Sequence, residues 1–113
     1  MASRVRAAHT RRMPIHIHLH CRVAPERRDD LLRFLARAFP TYEAPGGIRM
    51  RLYERRDDPG TLIEVVEYES VEAYERDQRR VVEDPAMRAL LAEWRALLAE
   101  PPRVETWEEV GVG

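Results

Sequence analysis

The chain has 113 residues, 44% hydrophobic and 35% charged, with a formal charge of −1. This is the size and balance of one soluble domain. No apolar run approaches the ~20 residues a membrane helix needs, and the charge balance excludes nucleic-acid binding by charge alone. All 19 basic residues are arginine, and lysine and asparagine are absent, which is the codon bias of a G+C-rich genome and not a functional signal.

Residues 1–12 carry Arg4, Arg6, Arg11 and Arg12 and no acid. They contain no apolar core of a secretory signal, so the expected location is the cytoplasm. Met13 directly precedes the first regular element, and residues 1–12 read as a disordered basic arm ahead of a single domain at 13–113. The first strand is predicted at about 14–23. Its core, Ile-His-Ile-His-Leu-His at 15–20, alternates strictly. On a strand that puts Ile15, Ile17 and Leu19 on one face and His16, His18 and His20 on the other. Cys21 continues the apolar face, where a lone cysteine reads as a small buried hydrophobe.

A helix is predicted at about 25–39, opened by Pro25 and ended by Pro40. Pro45-Gly46-Gly47 marks a loop. Strand two is predicted at about 48–56, the turn Asp57-Asp58-Pro59-Gly60 follows, and strand three runs at about 61–69. Ser70 caps a helix to about 82 with Val71, Tyr74, Val81 and Val82 inward. Asp84-Pro85 opens another helix to about 99, with Met87, Leu90, Leu91, Trp94, Leu97 and Leu98 on its stripe. Pro101-Pro102 stops it, and a last strand is predicted at about 103–110. The order β-α-β-β-α(α)-β is the α+β, ferredoxin-like split βαβ arrangement, with one antiparallel four-stranded sheet and helices on one face. Arg49, Arg51 and Tyr53 are expected to join the histidines on the helix-free face, with Trp107 possible there too. Strand three is open to either assignment: Leu62, Glu64, Val66 and Tyr68 on one side, Ile63, Val65, Glu67 and Glu69 on the other.

The layout over about 14–110 resembles the antibiotic biosynthesis monooxygenase family of the dimeric α/β-barrel superfamily. The resemblance rests on the histidine-bearing first strand, Pro45-Gly46-Gly47-Ile48, Asp58-Pro59, and Glu67-Tyr68-Glu69-Ser70-Val71-Glu72-Ala73-Tyr74. It implies a homodimer whose two sheets face each other as a dimeric α/β barrel, enclosing pockets. It also implies small phenolic, quinol or polyketide-like substrates and, in some members, oxygenation by O₂ with no cofactor. Two departures stand out. Many quinol-type members carry a histidine early in the helix after strand three, where this chain has Asp77, and polyketide-oxidising members use an asparagine with tryptophans, while this chain has no asparagine.

On that frame His18 or His16 is the expected general base, since a neutral imidazole suits removal of a phenolic or enolic proton near pH 7. Arg49 or Arg51 would stabilise the oxyanion. His20, Tyr53, Tyr68 and Trp107 would contact substrate as cavity wall, or else fill a dimer interface. Metal binding is a third reading. Strand residues two apart lie ~6.6 Å from each other, so an adjacent histidine pair can share an ion but all three cannot. A further ligand would come from Glu64, Glu67 or a second subunit. No G-x-G-x-x-G or P-loop is present to hold a nucleotide. A non-catalytic ligand-binding or stress-related dimer of the same fold is the rival to an enzyme.

Overall fold

The structure is a computed structural model, and it describes residues 12–113. The proposed arm at 1–12 therefore lies outside the described residues except for Arg12, whose guanidinium donates to Glu109 Oε1 at 2.7 Å. The elements are β1 (Ile15–Arg22), a 3₁₀ turn (Pro25–Arg27), α1 (Arg28–Glu43), β2 (Ile48–Glu54), β3 (Thr61–Tyr68), α2 (Val71–Glu83), α3 (Pro85–Leu97) and β4 (Arg103–Glu108). The four strands form one antiparallel sheet in the order β2-β3-β1-β4. This is the ferredoxin-like α+β arrangement the sequence predicts.

The apolar side of β1 meets the helices. Ile15, Cys21, Leu62 and Val66 pack with Leu31, Phe34, Leu35 and Ala38 of α1 and with Met87 and Trp94 of α3 in one buried cluster. Burial pushes the Cys21 thiol up to about 12, so it behaves as a hydrophobe and not as a nucleophile. Both predicted caps form. Ser70 Oγ accepts from the Ala73 N–H at 3.0 Å, and Asp84 Oδ1 accepts from the Ala86 N–H at 2.9 Å with Pro85 at the first helical position. Val71 and Val82, expected inward, are exposed instead.

The β2–β3 turn needs its glycine. Gly60 has φ +94°, and a Cβ there would sit 2.8 Å from the Val23 carbonyl oxygen. That close approach lets Val23 N–H donate to Gly60 O at 2.9 Å, tying the end of β1 to the turn. Glu54 locks the same corner. It accepts two hydrogen bonds from Arg28, each 2.8 Å, and one from the Gly60 N–H at 3.0 Å.

The main departure from expectation is α1, which runs three residues past Pro40 to Glu43. Proline removes one helical donor, but the extra turn is held from outside. Arg80 of α2 donates to the carbonyls of Thr41 (3.2 Å) and Tyr42 (2.9 Å), and Glu43 accepts from the Met50 N–H at 2.8 Å. Tyr42 is thereby buried.

Candidate functional site

The strand register sorts every candidate side chain onto one of two faces. On the helix-free face, three rows cross the sheet from β2 to β4: Arg49-Glu67-His16-Trp107, Arg51-Val65-His18-Glu105, and Tyr53-Ile63-His20-Arg103. The three histidines, both arginines, Tyr53 and Trp107 therefore share this face, as the alternation predicts. Glu67 gathers one end of it, with Arg51 at 3.2 Å, Arg49 at 3.7 Å and His16 at 3.9 Å. Glu105 gathers the other, with Arg103 at 2.6 Å, His20 at 2.8 Å and the Trp107 indole N–H at 3.3 Å. His18 lies between, with ring centroids 6.0 Å from both His16 and Trp107. Partial burial, then the neighbouring His16 and His20, lower its pKa and keep it neutral. A groove of about 490 Å³ borders His16, Arg49, Arg51 and Trp107, and His20 and Tyr53 share another of about 430 Å³.

Tyr68 does not belong with them. It pairs in register with Ile15 and Ile48, which places it on the helix side, where it is 1% exposed. The reason is the odd spacing on β3. Glu67 and Tyr68 must point to opposite faces, and the helix side takes the set with fewer charges. Tyr68 Oη donates to Asp77 Oδ2 at 2.5 Å, and Arg80 faces the other Asp77 oxygen at 3.1 Å. Burial, then the hydrogen bond to Asp77, raise the Tyr68 pKa.

The same register brings Glu64 to the helix side, where it is 3% exposed. There a cavity of about 420 Å³ opens between the sheet and helices α2 and α3, lined by Ile17, Leu19, Tyr42, Glu64, Tyr68 and Trp94 among others. Its walls are largely apolar, with Asp77, Gln78, Arg80 and Arg95 also bordering it, and an apolar cavity carrying some polar groups is the make-up of a small-molecule site. Burial pushes the Glu64 carboxyl up to about 7. The Trp94 indole pulls the other way. Among the described residues the Tyr42 hydroxyl and the Trp94 N–H are both buried without a partner. Burial also raises the Tyr42 pKa, keeping it a protonated donor. A carboxyl that titrates near neutrality beside two unspent donors is a combination of base and oxyanion support.

Sequence reasoning missed Tyr42 and Trp94 as site residues. Tyr42 was hidden by reading Pro40 as a helix end, and Trp94 by reading its stripe as solid core. Glu64 entered only as a candidate further metal ligand.

Residues 14–89 match the family model described as antibiotic biosynthesis monooxygenase. No curated protein matches the chain. Among solved structures, a Bordetella bronchiseptica protein of the same family description is 26% identical with TM-score 0.66, over 88% of this chain and 99% of that one. Rv0793 of Mycobacterium tuberculosis is 22% identical with TM-score 0.69, over 88% and 97%. SnoaB of Streptomyces nogalater, a cofactor-independent oxygenase, is 14% identical with TM-score 0.71, over 89% and 97%. The last two likenesses speak to fold. With two thirds of its length matched by the family model, the chain belongs to the antibiotic biosynthesis monooxygenase family.

Proposed function

We propose that this chain is a cofactor-independent monooxygenase whose substrate, a phenolic or polyketide-like ring system, binds in the helix-side cavity with Glu64 as general base. The observation that carries this reading is a carboxyl held near pH 7 inside an apolar cavity that also presents the Tyr42 hydroxyl and the Trp94 N–H unpaired. A base of that strength is matched to proton removal at neutral pH. Glu64 takes a proton from an activated ring CH₂ or phenol. The resulting carbanion or phenolate gives one electron to O₂, and the radical pair combines to form a C–O bond. The peroxide receives the proton back from Glu64 and loses water. For a CH₂ group the balance is CH₂ + O₂ → C=O + H₂O, with all four electrons supplied by the substrate. Tyr42 and Trp94 donate to the oxygen on which negative charge develops.

Oxygen uptake with a panel of anthrones, naphthols and hydroquinones tests this. Uptake that collapses in a folded Glu64→Gln variant supports it, and uptake that survives in that variant overturns it.

A second reading places the chemistry on the open face. His18 lies there in the Arg51 row beside Trp107, its pKa lowered by partial burial and the neighbouring histidines. It requires a homodimer in which a second copy covers this face. Tyr53 and Trp107, each 54% exposed, supply the aromatic surface for such a contact. Sedimentation measures the dimer, and a His18→Ala variant that still dimerises measures the role. No helix among the described residues is long and apolar enough to cross a membrane.

A further inference from the structure

The β1–β4 pair carries a constellation that the cavity chemistry does not use. His18 and Glu105 face each other across the two strands, and His20 lies two residues further along β1. One ring nitrogen from each histidine and one Glu105 oxygen all lie within 4.8 Å of one another. We propose that His18, His20 and Glu105 form a binding site for a divalent first-row transition-metal ion of the Zn²⁺ type.

The geometry is close to what such an ion needs. Zinc sits about 2.0–2.2 Å from imidazole nitrogen and carboxylate oxygen, so two of its ligand atoms stand roughly 3.3 Å apart in a tetrahedron. His20 Nε2 and Glu105 Oε1 are already 2.8 Å apart. The remaining gap closes by about 1.5 Å at most, by side-chain rotation alone, since all three residues are only half-buried. The strand spacing that forbids three histidines on one ion allows the adjacent pair, and β4 supplies the third ligand that neither Glu64 nor Glu67 is placed to give.

The surroundings support the arrangement. Arg103 holds Glu105 Oε2 at 2.6 Å, which leaves Oε1 turned toward His20, the kind of outer contact that orients metal-ligating carboxylates. The ion would displace the weak 3.3 Å approach of the Trp107 N–H to the same oxygen. Arg51, in the same row beyond Val65, and Arg103 oppose a cation by charge. The donor set of two imidazoles and one carboxylate therefore has to supply the affinity through bonds and not through a negative field. The fourth position faces away from the sheet, open to water or to a second copy.

Untagged full-length chain, stripped with chelator and titrated with Co²⁺ and then Zn²⁺, tests the site. The expected result is one ion per chain, visible Co²⁺ absorption bands, and displacement of Co²⁺ by Zn²⁺. His18→Gln, His20→Gln and Glu105→Gln should each weaken binding on the order of 100-fold, as loss of a ligand does, whereas His16→Gln should leave it unchanged. All four side chains lie outside the helix-side core, so circular dichroism of each variant should match wild type. Absence of Co²⁺ bands in the wild-type chain overturns the proposal. So does binding that persists in a folded His18→Gln, Glu105→Gln double variant.

Discussion

Glu64 and Glu67 lie three residues apart on one strand and live in opposite worlds. Glu67 points to the open face and is approached by two guanidiniums and an imidazole. Glu64 points to the helix side, and no cation lowers its pKa. An ionised carboxylate in apolar surroundings is costly unless paired, and an unpaired one responds by holding its proton. The whole molecule divides along this line. The open face spends its charges on one another, and the helix side keeps Glu64 away from any cation, beside the unpaired Tyr42 hydroxyl and Trp94 N–H. A crowded cluster of titratable groups draws the eye in the sequence, but a carboxyl shifted by burial lies on the other side of the sheet.

The sharpest way to break this contrast is to remove the Glu64 charge. Glu64→Gln should lower the turnover number by about 100- to 1,000-fold. Wild-type turnover should rise with pH through about 7, the value to which burial pushes this carboxyl, and the variant should lose that limb. Stability should respond in the opposite sense. A carboxyl raised from its ordinary 4.5 to about 7 binds its proton more tightly when folded. Its contribution is full below about pH 4.5 and is lost as pH climbs through 7. Chemical denaturation from pH 5 to 8 should show wild type losing on the order of 3 kcal/mol that the glutamine variant retains.

Next in size is the lock beside the cavity. Tyr68→Phe removes the 2.5 Å hydrogen bond to Asp77 and should cost about 1–3 kcal/mol, read as a lower urea midpoint with unchanged slope. His18→Ala comes after it. If the two faces are chemically separate, turnover stays within about twofold of wild type, a change of only about 0.4 kcal/mol in barrier. A loss matching that of Glu64→Gln would move the chemistry to the open face. The smallest effect should come from chelator. The His18–His20–Glu105 cluster and the Glu64 cavity lie on opposite sides of the sheet, so initial rates of oxygen uptake with and without chelator should agree.

The placement of the histidines was readable because β1 alternates without exception, and alternation translates directly into faces. The caps at Ser70 and Asp84 and the Asp-Pro-Gly turn were readable because each is a local hydrogen-bonding or dihedral requirement. Strand β3 was harder, since each of its faces offers apolar residues and acid. Its polarity still held a clue. One face carries Glu67 and Glu69, the other only Glu64, so the helix side had to accept Glu64 and Tyr68 together. Tyr42 was out of reach for a different reason. Its turn of helix beyond Pro40 is stabilised by Arg80 and by the contact of Glu43 with Met50, residues seven to 39 positions away, and no local rule announces such support.

That same turn also bears on the margin of the sheet. β2 is an outer strand of the sheet, and an outer strand offers unpaired backbone groups to any passing chain. Here the Met50 N–H is already taken by the Glu43 carboxylate at 2.8 Å. A strand added side by side would have to evict a charged group and leave it without its donor. The helix turn that completes the cavity thus also blunts the β2 margin of the sheet against edge-to-edge pairing.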